Sequence, residues 1–148
     1  MDEIHDIVPF RTMIVLTNSG EWSVAGADGP LTPSAFNVAP HTYNGSYRKV
    51  AGLPLDGEVF FVSPTGKTIK SITYSRERDA LQSQQINVQC SHLFTGNVKS
   101  WAWSDEDNAS IIWVVLDDGS LLSAEPSSDH CYDEVPGPEL HENTLVRS

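Results

Sequence analysis

One short phrase occurs three times in this chain, and it restricts the fold more than any other feature. Residues 111–124 read Ile-Ile-Trp-Val-Val-Leu, turn at Asp118-Gly119, and become apolar again. An apolar run, a glycine-containing turn and a second apolar run form the pattern of a β-hairpin, because glycine accepts the positive φ of a tight turn. Residues 13–24 repeat the phrase around Asn18-Ser19-Gly20-Glu21, with Trp22 and Val24 beyond the turn. Residues 58–74 repeat it around Ser63-Pro64-Thr65-Gly66, with Ile69, Ile72 and Tyr74 alternating afterwards. The turn glycines Gly20, Gly66 and Gly119 recur at about fifty residues, a spacing that suits β-propeller blades or a related array. The expected fold is therefore all-β, with three propeller-like hairpin repeats over residues 1–124. A closed ring takes ~4–8 blades. Three units are thus expected to form an incomplete array, or one capped by the tail, by a partner chain or by a different closure of the sheet, because open sheet edges need cover.

Between the hairpins the signals are weaker. Val8-Pro9-Phe10 reads as extended, since Pro9 blocks helix continuation. Residues 35–38 and 41–47 read as two short strands, with Asn44-Gly45 as a tight turn in the second. Residues 75–85 have fair helix propensity but only Ala80 and Leu81 to bury, which predicts a surface excursion or a short helical turn. Residues 86–94 fit a strand or a short helix. Residues 98–103 alternate, with Val98, Ser100 and Ala102 on one predicted face and Lys99, Trp101 and Trp103 on the other. A polar loop is expected over 104–110. After Ser123 the apolar periodicity stops, and Pro126, Pro136 and Pro138 interrupt any element. Residues 125–148 are accordingly expected to be an acidic, proline-containing tail, mobile or partner-bound. That leaves Leu121, Leu122 and Ser123 on the last regular strand, where a neighbour is expected to pair.

Charge and composition exclude several classes. The formal net charge of the 148 residues is −11, which argues against binding nucleic acid through a general basic surface, since phosphate contacts need clustered Lys and Arg. No apolar run approaches the ~20 residues of a membrane-spanning helix, so no membrane insertion is expected. The start, Asp2-Glu3-Ile4-His5-Asp6, is acidic where a signal peptide is basic, so export by such a signal is not expected. Cys90 and Cys131 form no metal motif and are expected to be ordinary thiols.

Catalytic and metal-binding patterns are weak. His5, His41, His92, His130 and His141 are scattered without a pair at ligand spacing, so neither a metal nor another cofactor is expected. Ser104-Asp105-Glu106-Asp107-Asn108 lacks the glycine and the terminal Glu of a calcium loop. Cys90-Ser91-His92 places a thiol near an imidazole with no third group to orient them. Gly66-Lys67-Thr68 ends like a phosphate-binding loop, but the upstream glycine position is Phe61 and the context is a hairpin. No enzyme is expected. Trp22, Trp101, Trp103 and Trp113 lie in or beside predicted strands and read first as packing between blades. Trp101 and Trp103, two apart on one strand, also form a candidate platform for a glycan or a partner protein.

The string resembles a known family over residues 4–124. Ile7-Val8-Pro9, Met13-Ile14-Val15-Leu16-Thr17, Ser19-Gly20-Glu21-Trp22 and Gly29-Pro30-Leu31-Thr32-Pro33 look like a segment of phage tail proteins. Tyr43-Asn44-Gly45-Ser46, Glu58-Val59-Phe60-Phe61-Val62, Ile72-Thr73-Tyr74-Ser75, Ile112-Trp113-Val114-Val115-Leu116 and Asp118-Gly119-Ser120-Leu121 continue the likeness. The segment is similar to the tail nozzle, or tubular tail protein B, of short-tailed phages. This resemblance implies a propeller-rich structural protein in a ring at the tip of a tail, through which DNA leaves. Its expected place is the virion tail, with assembly in the host cytoplasm, and its expected partners are other tail proteins or further copies in a homo-oligomeric ring. Members of that family are several times longer, residues 75–90 match poorly, and residues 125–148 are unlike theirs. The residues themselves leave a second expectation open, a soluble β module that recognises a host glycan or protein.

Overall fold

Val59, Phe60, Phe61 and Val62 have no polar member. Side chains alternate across a strand, so four consecutive buried residues demand cover on both faces. The computed structural model, which describes residues 2–75, 77, 80–86, 91–106, 109–125 and 130–135, supplies that cover. These four residues are buried in strand β6 (Glu58–Val62), inside the middle one of three sheets.

Among the described residues twelve strands form three antiparallel four-stranded sheets, each a simple meander. Sheet one comprises β1 (Ile4–Pro9), β2 (Met13–Thr17), β3 (Glu21–Gly26) and β4 (Phe36–Thr42). Sheet two comprises β5 (Leu53–Leu55), β6, β7 (Ile69–Ser75) and β8 (Ala80–Gln85). Sheet three comprises β9 (Val98–Glu106), β10 (Ala109–Leu116), β11 (Leu121–Glu125) and β12 (His130–Val135). The three repeated phrases are the central hairpins β2–β3, β6–β7 and β10–β11, in registers such as Val15↔Trp22, Val59↔Ile72 and Val114↔Leu122. Among the described residues the sheets form an open stack rather than a closed barrel or ring.

Among the described residues two separate cores hold the stack. Val59, Phe61 and Ile72 of sheet two pack with Val8, Ile14 and Leu16 of sheet one. Phe60, Val62 and Ile69, on the opposite face, pack with Val98, Ile112, Val114, Leu116 and Leu122 of sheet three, joined by Ile86 and Phe94.

The turns differ in cause. Gly66 and Gly119 have φ of 79° and 92°, the left-handed conformation expected of them. Gly20 does not. A Cβ there would lie 2.7 Å from the Thr42 carbonyl oxygen, so Gly20 is needed for the close approach of two backbones. Its turn is held by the Thr17 hydroxyl, which donates to the Gly20 carbonyl at 2.7 Å and accepts from the Gly20 amide at 3.1 Å.

Several sequence expectations are corrected. Residues 36–42 form one strand, not part of two, because Pro40 is tolerated on the edge strand β4. Residues 80–85 are strand β8, paired to β7 from Lys70↔Gln85 to Ser75↔Ala80. Main-chain pairing holds this strand where side-chain burial gave no signal. Of residues 86–94, Ser91–Leu93 is a single 3-10 turn, and 87–90 lie outside the described residues. The polar loop expected over 104–110 is mostly strand, since β9 runs to Glu106 and β10 starts at Ala109. The tail expected from 125 onward contains β12, paired to β11 from Leu121↔Val135 to Glu125↔His130. β11 is therefore not an edge strand, and the strand that pairs with Leu121, Leu122 and Ser123 is β12 of the same chain. Residues 136–148 and the thiols of Cys90 and Cys131 lie outside what is described.

Candidate functional site

The faces expected for β9 are rearranged. A β-bulge between Val115 and Leu116 sets Val115 opposite Ser100 but Leu116 opposite Val98. The extra residue, Lys99, reverses the alternation, so Val98 and Trp101 share the core-facing side. Trp101 packs against the core between sheets two and three, and its Nε1 donates to the Ala51 carbonyl at 2.9 Å. Trp103 stays on the same side but is 45% exposed. It borders a cleft of about 290 Å³ with Phe10, Pro54, Asp56, Glu58 and Asp105. The two tryptophans thus share a face, as expected, yet do not form a platform together. One ring is committed to packing and one is open.

A second cleft, between sheets one and two, holds a pair that sequence reading missed. Ser23 Oγ lies 2.6 Å from His41 Nε2. Phe10, Arg11, Thr12, Tyr74 and Leu81 complete the walls of a space of about 220 Å³. The Arg11 guanidinium stands 4.6 Å from the centre of the Tyr74 ring, a cation–π contact at its rim. Burial pushes the His41 pKa below its ordinary value, which favours the neutral imidazole that can accept from the Ser23 hydroxyl. That distance suits a nucleophile and a base. Among the described residues, however, no carboxylate is bonded to the other ring nitrogen, and Ser23 itself is buried. As it stands, the pair satisfies two polar groups at a sheet interface. His41 is one of the scattered histidines of the sequence. Its nearness to Ser23 depends on the β3–β4 register, which includes a bulge between Glu21 and Trp22 and has no signal in residue spacing.

Beside that cleft, Glu21 is 1% exposed. One of its oxygens accepts from the Thr42 hydroxyl and from the Asn44 backbone and side-chain amides, at 3.2 and 3.3 Å for the latter two. The other, Oε1, has no hydrogen-bond partner. Asn44 also donates to Ser83 Oγ at 3.0 Å and accepts from Lys70 Nζ at 2.6 Å. A buried carboxylate needs such donors. This arrangement ties sheet one to β7 and β8 of sheet two through a single amide side chain.

The ends of the stack differ from its interior. The outer face of sheet one carries Ile4, Ile7, Phe36 and Val38, exposed by 60, 52, 51 and 51%. Ile7 pairs with Val15 and Val38 with Val24, so these residues share one side of the sheet. Trp22 lies among them, in a shallow depression with Ile4, Val15, Val24 and Val38. The outer face of sheet three presents Ser100, Ala102, Ile111, Trp113 and Val115. Trp113 Nε1 donates to Ser104 Oγ at 2.9 Å across it.

Among the described residues no three His, Cys, Asp or Glu side chains cluster as metal ligands. Among the described residues no helix is long and apolar enough to cross a membrane. No family model matches the chain, and a search of the curated proteins gives no match.

Proposed function

We propose that the chain is a non-enzymatic structural component of a phage tail, in the nozzle or fibre-attachment region, acting in virion assembly and DNA delivery. Its sheets act as propeller-like blades in a larger assembly with other tail proteins or with further copies. The observation that carries this reading is the open stack of three four-stranded meanders, which among the described residues ends in an uncovered apolar face. Such a face is costly in water and suits a part that is built into something. The likeness of residues 4–124 to tail-nozzle segments supplies the setting. The net charge of −11 suits a conduit that must release DNA, since like charge keeps phosphate from adhering. Mass spectrometry and electron microscopy of purified virions and tails test the proposal, and absence of the chain from the particles would sink it.

One observation favours a second reading, a soluble module that binds a glycan or protein on the host. The open ring of Trp103 beside Asp56, Glu58 and Asp105 combines an apolar plate with hydrogen-bond acceptors. Under that reading Trp103→Ala abolishes binding to host-surface glycans and leaves the unfolding midpoint unchanged. Unaltered binding by the variant removes it.

A further inference from the structure

Inside the chain, sheets pack in one sense. Sheet one offers Ile14 and Leu16 to sheet two, which offers Phe60 and Val62 to sheet three. Ile111, Trp113 and Val115, on the far side of β10 from the core residues Ile112 and Val114, would be the next row in that series. On the receiving side, sheet two meets its predecessor with Val59 and Phe61, and sheet three meets its own with Ile112 and Val114. The matching face of sheet one, around Val15, Trp22, Val24 and Val38, has no sheet against it among the described residues. The two ends are therefore the two halves of one further interface of the kind already present twice.

Their shapes also correspond. The first strands of adjacent sheets run near one another, as the Asp6 carboxylate accepting from the Gly52 amide at 2.7 Å and the Trp101–Ala51 bond indicate. In a continued stack, β1 of sheet one would lie near β9 of the preceding sheet. The uncovered β1 carries the large Ile4 and Ile7, while the outer face of β9 carries the small, exposed Ser100 and Ala102. Large side chains would meet small ones, as packed layers require.

We propose that a second copy of this chain covers both ends. The sheet-three face of each copy packs on the sheet-one face of the other, so that six sheets close into one ring. A head-to-tail interface either closes or polymerises, and six lies within the ~4–8 blades of closed propellers. The inference rests on the propeller-like reading of the sheets and is independent of the tail assignment.

Native mass measurement of the full chain tests it, together with two charged variants at exposed positions. Ile7→Lys with Val38→Lys blocks the sheet-one face, and Ser100→Lys with Ala102→Lys blocks the sheet-three face. Circular dichroism checks that each remains folded. The expected result is a wild-type particle of twice the single-chain mass, each variant alone at half that mass, and a one-to-one complex when the two are mixed. A wild-type monomer overturns the choice of a second copy while leaving the propeller-like reading intact. Open-ended polymers overturn closure, and that reading with it. A blocked variant that still pairs with itself overturns the head-to-tail arrangement.

Discussion

Sheets one and two have the same four-strand topology and opposite surroundings. In sheet two, both faces of β6 are covered, and Val-Phe-Phe-Val is buried throughout. In sheet one only Val8, Ile14 and Leu16 join a core, while Ile4, Ile7, Phe36 and Val38 on the other side face water. The same meander thus serves as the interior of a stack and as its end. Position in the stack, rather than strand pattern, decides what a buried or exposed side chain is worth.

The largest effect should separate these two settings. Phe61→Ala, in the interface between sheets one and two, is expected to cost about 3–5 kcal/mol by urea unfolding, the usual range for a deleted core aromatic. Val38→Ala on the end face is expected to stay within about 0.5 kcal/mol in the isolated single chain. Equal costs would mean that the end face is covered even in one chain.

The polar link between the sheets comes next. Asn44→Ala removes two amide donors and a carbonyl acceptor from the Glu21–Lys70 connection and should cost about 1–3 kcal/mol, as for other buried groups left unpaired. Combined with Lys70→Ala the losses should not add, since both act on one network. Strict additivity would show that Asn44 acts locally and does not couple the sheets.

Gly20→Ala and Gly119→Ala sharpen the difference between two turns that look alike in sequence. At Gly119 the cost is conformational, about 1–2 kcal/mol for a side chain in the left-handed region. At Gly20 it comes from contact with the Thr42 carbonyl oxygen. Thr42 lies on the edge strand β4, so Gly20→Ala should speed amide exchange in β4, whereas Gly119→Ala should leave β4 untouched.

The smallest effect is a pH dependence at the Ser23–His41 cleft. Burial holds the folded pKa of His41 below the ordinary 6.5, so the unfolded chain binds the extra proton first. The stability that His41 contributes is then present above about pH 6.5 and is lost as pH falls toward the folded value. Replacing His41 with Asn should flatten the melting temperature over that window. An unchanged slope would assign the dependence to other histidines.

The central hairpins were legible because Gly66, Gly119 and the apolar runs beside them are local signals. The outer strands β8 and β12 were not. Gln82, Ser83, Gln84 and Gln85 show no apolar pattern, and β8 is placed by main-chain pairing to β7, by Leu81 against the core and by the Asn44–Ser83 bond. The acidic residues of β12 read as tail for the same reason. The bulge at Lys99 reversed the faces of β9, and no residue type announces a bulge of this kind. Of the candidate sites, the shared side of Trp101 and Trp103 followed from their spacing, but not the bond that engages Trp101. The proximity of Ser23 and His41 exists only once the register is set.

The two cores share no residue, because alternate side chains of sheet two enter different ones. Energy therefore passes along the molecule as it does along a short repeat array, from neighbour to neighbour. Sheet one can open while sheet three stays folded, since among the described residues its core cluster draws on sheet two and on no residue of sheet three. Amide exchange should then report two thresholds in place of one global opening. A damaged end would be lost as a unit, leaving a two-sheet remnant whose newly bared surface is the Val59–Phe61–Ile72 face.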